Sequence, residues 1–92
     1  MNLAAEIRQR LAALEPLELE LTDESEAHRG HAGYRAGGGT HWRLAIVSPR
    51  FAGQPVIARH RMVYQALGDL MQNPIHALAI HARAPEETKG SE

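Results

Sequence analysis

The chain has 92 residues, 43% of them hydrophobic and 23% charged, and a formal net charge of -1. That length suits one domain, burying about 60 to 65% of its unfolded surface, and the near-neutral balance gives no bulk attraction to phosphate backbones. There is no cysteine, which excludes disulfides, thiolate nucleophiles and all-thiolate zinc or iron–sulfur sites built by this chain alone.

No stretch approaches the roughly 20 apolar residues of a membrane span, and residues 1–10 carry charges within an amphipathic pattern instead of the apolar centre of a secretory signal. A soluble, cytoplasmic chain without membrane contact is expected.

Leu3, Ile7, Leu11 and Leu14 recur at helical spacing and predict an amphipathic helix stopped by Pro16. Residues 17–21 read Leu-Glu-Leu-Glu-Leu, a strand with three leucines on one face and two glutamates on the other. Residues 23–39 hold most of the glycine, together with His28 and His31, and show no apolar periodicity. They predict a long, mobile loop, of a length that in compact domains tends to carry function.

Trp42, Leu44 and Ile46 alternate with His41, Arg43, Ala45 and Val47, predicting a second strand that ends at Ser48-Pro49 and pairs with the first. After a turn at Phe51-Ala52-Gly53, the residues Val56, Val63, Leu67 and Leu70, with Met62 and Ala66 beside them, define one face of a helix ending before Asn73-Pro74. Residues 75–82 alternate again, Leu78 and Ile80 against Ala77 and Ala79, as a third strand. The expectation is an α+β domain over residues 1–84, with the order αββααβ and helices packed on a three-stranded sheet, followed by a flexible polar tail over residues 85–92.

Several stretches in order resemble the BolA family: Asp23-Glu24-Ser25, Thr40-His41-Trp42, Val47-Ser48, Phe51-Ala52-Gly53, Arg59-His60-Arg61 and Ile75-His76-Ala77-Leu78. The resemblance implies a fold like the type II KH domain and two roles. One is to partner a monothiol glutaredoxin in iron–sulfur cluster handling, and the other is DNA binding as a transcriptional regulator of stress, morphology or envelope genes.

For the first role, the resemblance assigns a cluster ligand to His60 and a second to the loop, where His28 and His31 both qualify. Distance from the first strand favours His28, and distance from Thr40-His41 favours His31. Neutral imidazole suits iron, and histidine ligation of a [2Fe-2S] centre raises its potential. The glutaredoxin and its glutathione would supply the missing thiolates, so the cluster belongs to the complex and the isolated chain, a monomer or weak homodimer, carries none. His41 and His76 are expected to be structural hydrogen-bonding residues and His81 a surface residue.

For DNA the candidates are Arg43, Arg50, Arg59 and Arg61, whose guanidinium groups can fork onto phosphates and guanine edges. Residues 30–33 spell the GXXG of a KH clamp, but they lie between strands, whereas that clamp belongs near Gly53. No base is positioned by the sequence beside Ser25 or Ser48, so catalysis is not expected.

Overall fold

The computed structural model describes residues 2–25 and 40–89. The first helix, α1, spans Leu3–Leu11. Asn2 caps it, accepting a 2.7 Å hydrogen bond from the Ala5 amide, and a 3-10 turn over Ala12–Leu14 extends it. Ile7, Leu11 and Leu14 are buried, as their spacing predicts. Glu15 adopts a left-handed conformation before Pro16 and turns the chain into the first strand.

That strand, β1 (Glu18–Asp23), pairs antiparallel with β2 (His41–Val47), and β2 pairs parallel with β3 (Ala77–Arg83), giving the sheet order β1-β2-β3. The central strand carries the core: Trp42, Leu44 and Ile46 are all buried, and their alternation places His41, Arg43 and Ala45 on the opposite, open face. Leu17, expected inside with Leu19 and Leu21, is 64% exposed, because it precedes the paired register.

Ser48 joins the end of β2 to the helical layer. Its hydroxyl donates to the Leu14 carbonyl and accepts from the Arg50 amide, at the head of a 3-10 turn over Pro49–Phe51 that buries Phe51. Helix α2 (Val56–Leu67) then returns across the sheet, as a parallel connection requires. It stops at Gly68, whose φ of 57° is costly for a residue with a Cβ. At this end Arg10 donates to the Leu67 carbonyl and pairs with Asp69 and Glu6, tying α1 to α2 with a cation on the helix C-terminus.

Two expectations about the helical layer need correction. Val56 is 65% exposed, and the buried stripe of α2 consists of Arg59, Val63 and Leu67, because the first turn of the helix overhangs the core. Residues 85–89 are not a loose tail: Pro85–Lys89 form helix α3, and the Glu87 carboxylate there takes both arms of Arg59 at 2.7 and 2.6 Å and also accepts from the Ala84 amide. Residues 90–92 lie outside the described residues.

These bonds hold the Glu87 carboxyl at about 2, below its ordinary value of 4.5. The folded state therefore binds this proton less readily than the unfolded chain. The clamp's contribution is complete above pH 4.5 and is lost as pH falls from there towards about 2. In paired urea titrations, Glu87→Gln is expected to be less stable than wild type at neutral pH, with the gap closing across that acid range.

Candidate functional site

Sheet topology brings two distant stretches to one place. The β1–β2 connection leaves β1 after Asp23 and re-enters at His41, and the chain entering β3 arrives at the same end, since His41 pairs with Ala77. The His76 amide donates to the Thr40 carbonyl at 2.7 Å, and the Ala77 amide shares the same acceptor.

Ser25 and Thr40, both fully buried, staple the two ends of this connection. The Ser25 hydroxyl oxygen accepts from the Thr40 amide (3.0 Å), the His41 amide (3.2 Å) and the Thr40 hydroxyl (3.3 Å), and the Ser25 amide donates to Asp23 Oδ1 (2.9 Å). The Thr40 hydroxyl and His41 Nδ1 share a further hydrogen bond of 2.9 Å, which anchors the ring. Removing the Ser25 hydroxyl in Ser25→Ala strands two amides, and a loss of about 1 to 3 kcal/mol is expected in equilibrium denaturation.

The His41 ring lies nearly parallel to that of His76, with centroids 6.3 Å apart and planes 11° from coplanar. His41 is half-buried and His76 is exposed. Two imidazoles thus stand at the mouth of the segment that carries His28 and His31, which themselves lie outside the described residues. Behind them Trp42 is buried, and its indole N–H has no hydrogen-bond partner among the described residues.

His60 is elsewhere. It is half-buried on α2 next to Arg59, whose Nη1 bonds the Ala82 carbonyl. Ala82 pairs with Ile46, five positions along the strand from the His41 and Ala77 pair, a displacement of about 16 Å at roughly 3.3 Å per residue. Helix α2 starts at the opposite end of the sheet from the loop mouth, and the histidine whose backbone is held at that mouth is His76.

The arginines are also distributed differently from the expectation. Arg59 is only 8% exposed, and four of its five guanidinium donors are spent on the Gln54 and Ala82 carbonyls and on Glu87, which makes it a structural residue. Arg43 pairs with Glu24 and Arg50 with Glu15, both at 2.9 Å, and the Glu24 hydrogen bond raises the Arg43 pKa further. Arg61 is exposed on α2. No group of three or more histidine, aspartate or glutamate side chains among the described residues could hold a metal ion. With no cysteine in the chain, the donors it offers a metal are imidazoles and carboxylates.

Sequence comparison agrees with this architecture. The profile of the family described as BolA-like protein matches residues 11–87. The chain belongs to the BolA family. Mouse BolA-like protein 1 is 45% identical over 84 residues, covering 90% of this BolA-family chain and 58% of the mouse protein. The DNA-binding transcriptional regulator BolA of Escherichia coli K12 is 36% identical over 91 residues, covering 98% of the chain and 83% of that protein. SufE-like protein 1 of Arabidopsis thaliana, chloroplastic/mitochondrial by name, is 43% identical over 86 residues, which span only 23% of its length. The chain thus spans about a quarter to somewhat over half of several curated relatives.

Among solved structures, the BolA domain of SufE1 from Arabidopsis thaliana superposes with a TM-score of 0.82 at 39% identity, covering 95% of this chain and 98% of that one. Mouse BolA1 gives 0.79 at 45% identity, covering 95% and 68%. The three-stranded α+β architecture expected from the sequence is that of the BolA domain. No helix among the described residues is long and apolar enough to cross a membrane.

Proposed function

We propose that the chain is a non-enzymatic BolA-type adaptor that binds a monothiol glutaredoxin and shares its [2Fe-2S] cluster through His76 and a histidine of the adjoining loop, His28 or His31. The observation that carries this reading is the pairing of exposed His76 with His41 at the loop mouth, in a chain without a single thiolate. The cluster is cargo here. The partner and its glutathione supply the sulfur ligands, and this chain offers an imidazole whose plane is fixed by stacking on a ring that is itself held by Thr40 and Ser25.

Histidine in place of a thiolate raises the potential of the centre, which suits a sensing or delivery complex more than a storage site. The direct test mixes the purified chain with cluster-loaded glutaredoxin and follows complex formation by gel filtration and visible circular dichroism. A new spectrum on a co-eluting complex is expected, and a spectrum equal to the sum of the parts would refute the adaptor reading.

A second reading, DNA-binding regulation, is favoured by the function named for the Escherichia coli relative. Of Arg43, Arg50, Arg59 and Arg61, Arg59 is buried in its clamp and the exposed Arg43 and Arg50 pair with carboxylates, which leaves Arg61 on the surface of α2 as the candidate for phosphate contact. Binding to promoter-like and scrambled DNA across a salt series decides it, because sequence-dependent affinity outlasts phosphate screening.

A further inference from the structure

We propose that the outer edge of β3 is a self-association surface on which a second copy of this chain adds its own β3 in antiparallel register, centred on Ala79.

Among the described residues the sheet has two open edges, β1 and β3. Along β3 the odd-numbered residues turn their backbone groups towards β2, as the Ala77 amide on the Thr40 carbonyl and the Arg83 carbonyl on the Ser48 amide show. The even-numbered residues turn theirs outward. At one end these outward groups are already satisfied: Arg59 takes the Ala82 carbonyl, and Glu87 takes the Ala84 amide of the residue following β3. Leu78 and Ile80 remain, each presenting an amide and a carbonyl, with the amide of Ala82 beside them, to an edge on which no strand lies among the described residues.

A two-fold axis through Ala79 sets Leu78 of one copy opposite Ile80 of the other, and the reverse. This satisfies the four Leu78 and Ile80 groups in each copy with four inter-strand hydrogen bonds, and the pairing ends before Ala82, whose carbonyl Arg59 already holds. The side chains agree with this register. On the helix-facing side the half-buried Leu78 meets the half-buried Ile80, apolar on apolar. On the open face Ala79 meets its own equivalent, and Ala77 meets His81, so no like charges oppose each other.

The β1 edge offers no such match. Glu18 and Glu20 lie on its open face, and the antiparallel self-pairings centred on Glu18, Leu19 or Glu20 set glutamates together, the usual guard against edge-to-edge contact. Residues 77–82 of β3 contain no lysine, proline or carboxylate. An unguarded edge whose side chains complement themselves is the pattern expected of a contact between copies.

The test is sedimentation equilibrium of the full chain over a concentration series reaching the millimolar range. The weight-average mass of wild type should rise towards twice that of the monomer. Ala79→Lys and Ala79→Glu should each remain monomeric, and an equimolar mixture of the two should regain the doubled mass, because the opposed charges then attract. Ala79 is exposed, so both variants should keep the wild-type far-ultraviolet circular dichroism and melting curve. A wild type that stays monomeric throughout overturns the proposal, as does self-association of Ala79→Lys equal to that of wild type, or a mixture without recovery. Protection of the Leu78 and Ile80 amides only on addition of an extended peptide from another protein would likewise replace self-pairing with strand addition by a foreign partner.

Discussion

Arg59→Ala is expected to lower the stability of the chain by about 3 kcal/mol, the scale of losing hydrogen bonds to and from a charged group in a buried setting. The substitution removes four hydrogen bonds at once. The Gln54 and Ala82 carbonyls lose their donors, the bidentate bond to Glu87 disappears, and α3 loses the cation that anchors it. It also leaves a void beneath α2 where the aliphatic stem packs beside Val63. For a domain of this size, roughly 4 to 8 °C per kcal/mol puts the fall in melting temperature at about 12 °C or more. Differential scanning calorimetry checks it, with Arg59→Lys expected to fall between the two, since a lysine keeps the charge but cannot form the fork. An unchanged melting temperature for Arg59→Ala would show that the clamp contributes nothing.

The largest functional effect is expected at His76. When the chain is mixed with cluster-loaded glutaredoxin, His76→Ala should abolish the visible circular dichroism of the mixed complex, whereas His60→Ala should retain it. His76 is bound through its backbone to Thr40 at the loop mouth, whereas His60 lies in the first half of α2, which starts at the opposite end of the sheet. Of the two loop variants, His28→Ala and His31→Ala, the one that also loses the signal identifies the second ligand. Retention of the spectrum by His76→Ala together with its loss in His60→Ala would move the site to the far end of α2.

Much of the fold could be read from the order of residues, because alternation and helical spacing report directly on which side chains avoid water. The inward set Trp42, Leu44 and Ile46, and the stripe Ile7, Leu11 and Leu14, followed from period alone. What failed was tertiary in origin. Arg59 occupies an inward position that hydrophobicity would never assign to it, because its charge is answered by Glu87, 28 residues later, in a segment whose polarity suggested a tail. Val56 matched the stripe by spacing yet projects past the core.

The site was legible in composition but not in arrangement. The absence of cysteine and the motif histidines narrowed the chemistry, and Ile75-His76-Ala77-Leu78 was in view as a motif. The stacking of His76 on His41 depends on the parallel pairing of β2 with β3, and nothing local in either strand specifies its neighbour. A signal was present, though. His41 follows a small hydroxyl residue at the close of a long loop, and His76 precedes an alternating run, so each marks the entry of a strand.

The parallel pairing of β2 with β3 also bears on biosynthesis. His41 and its register partner Ala77 are 36 positions apart (77 − 41), and contacts of such long separation are the slow ones to close. During synthesis the first histidine emerges early, but the surface that gives it a neighbour waits for the whole final strand. A nascent chain cannot present the two rings together until residues 77–83 have been made, so a partner that reads both rings cannot dock before that strand is in place.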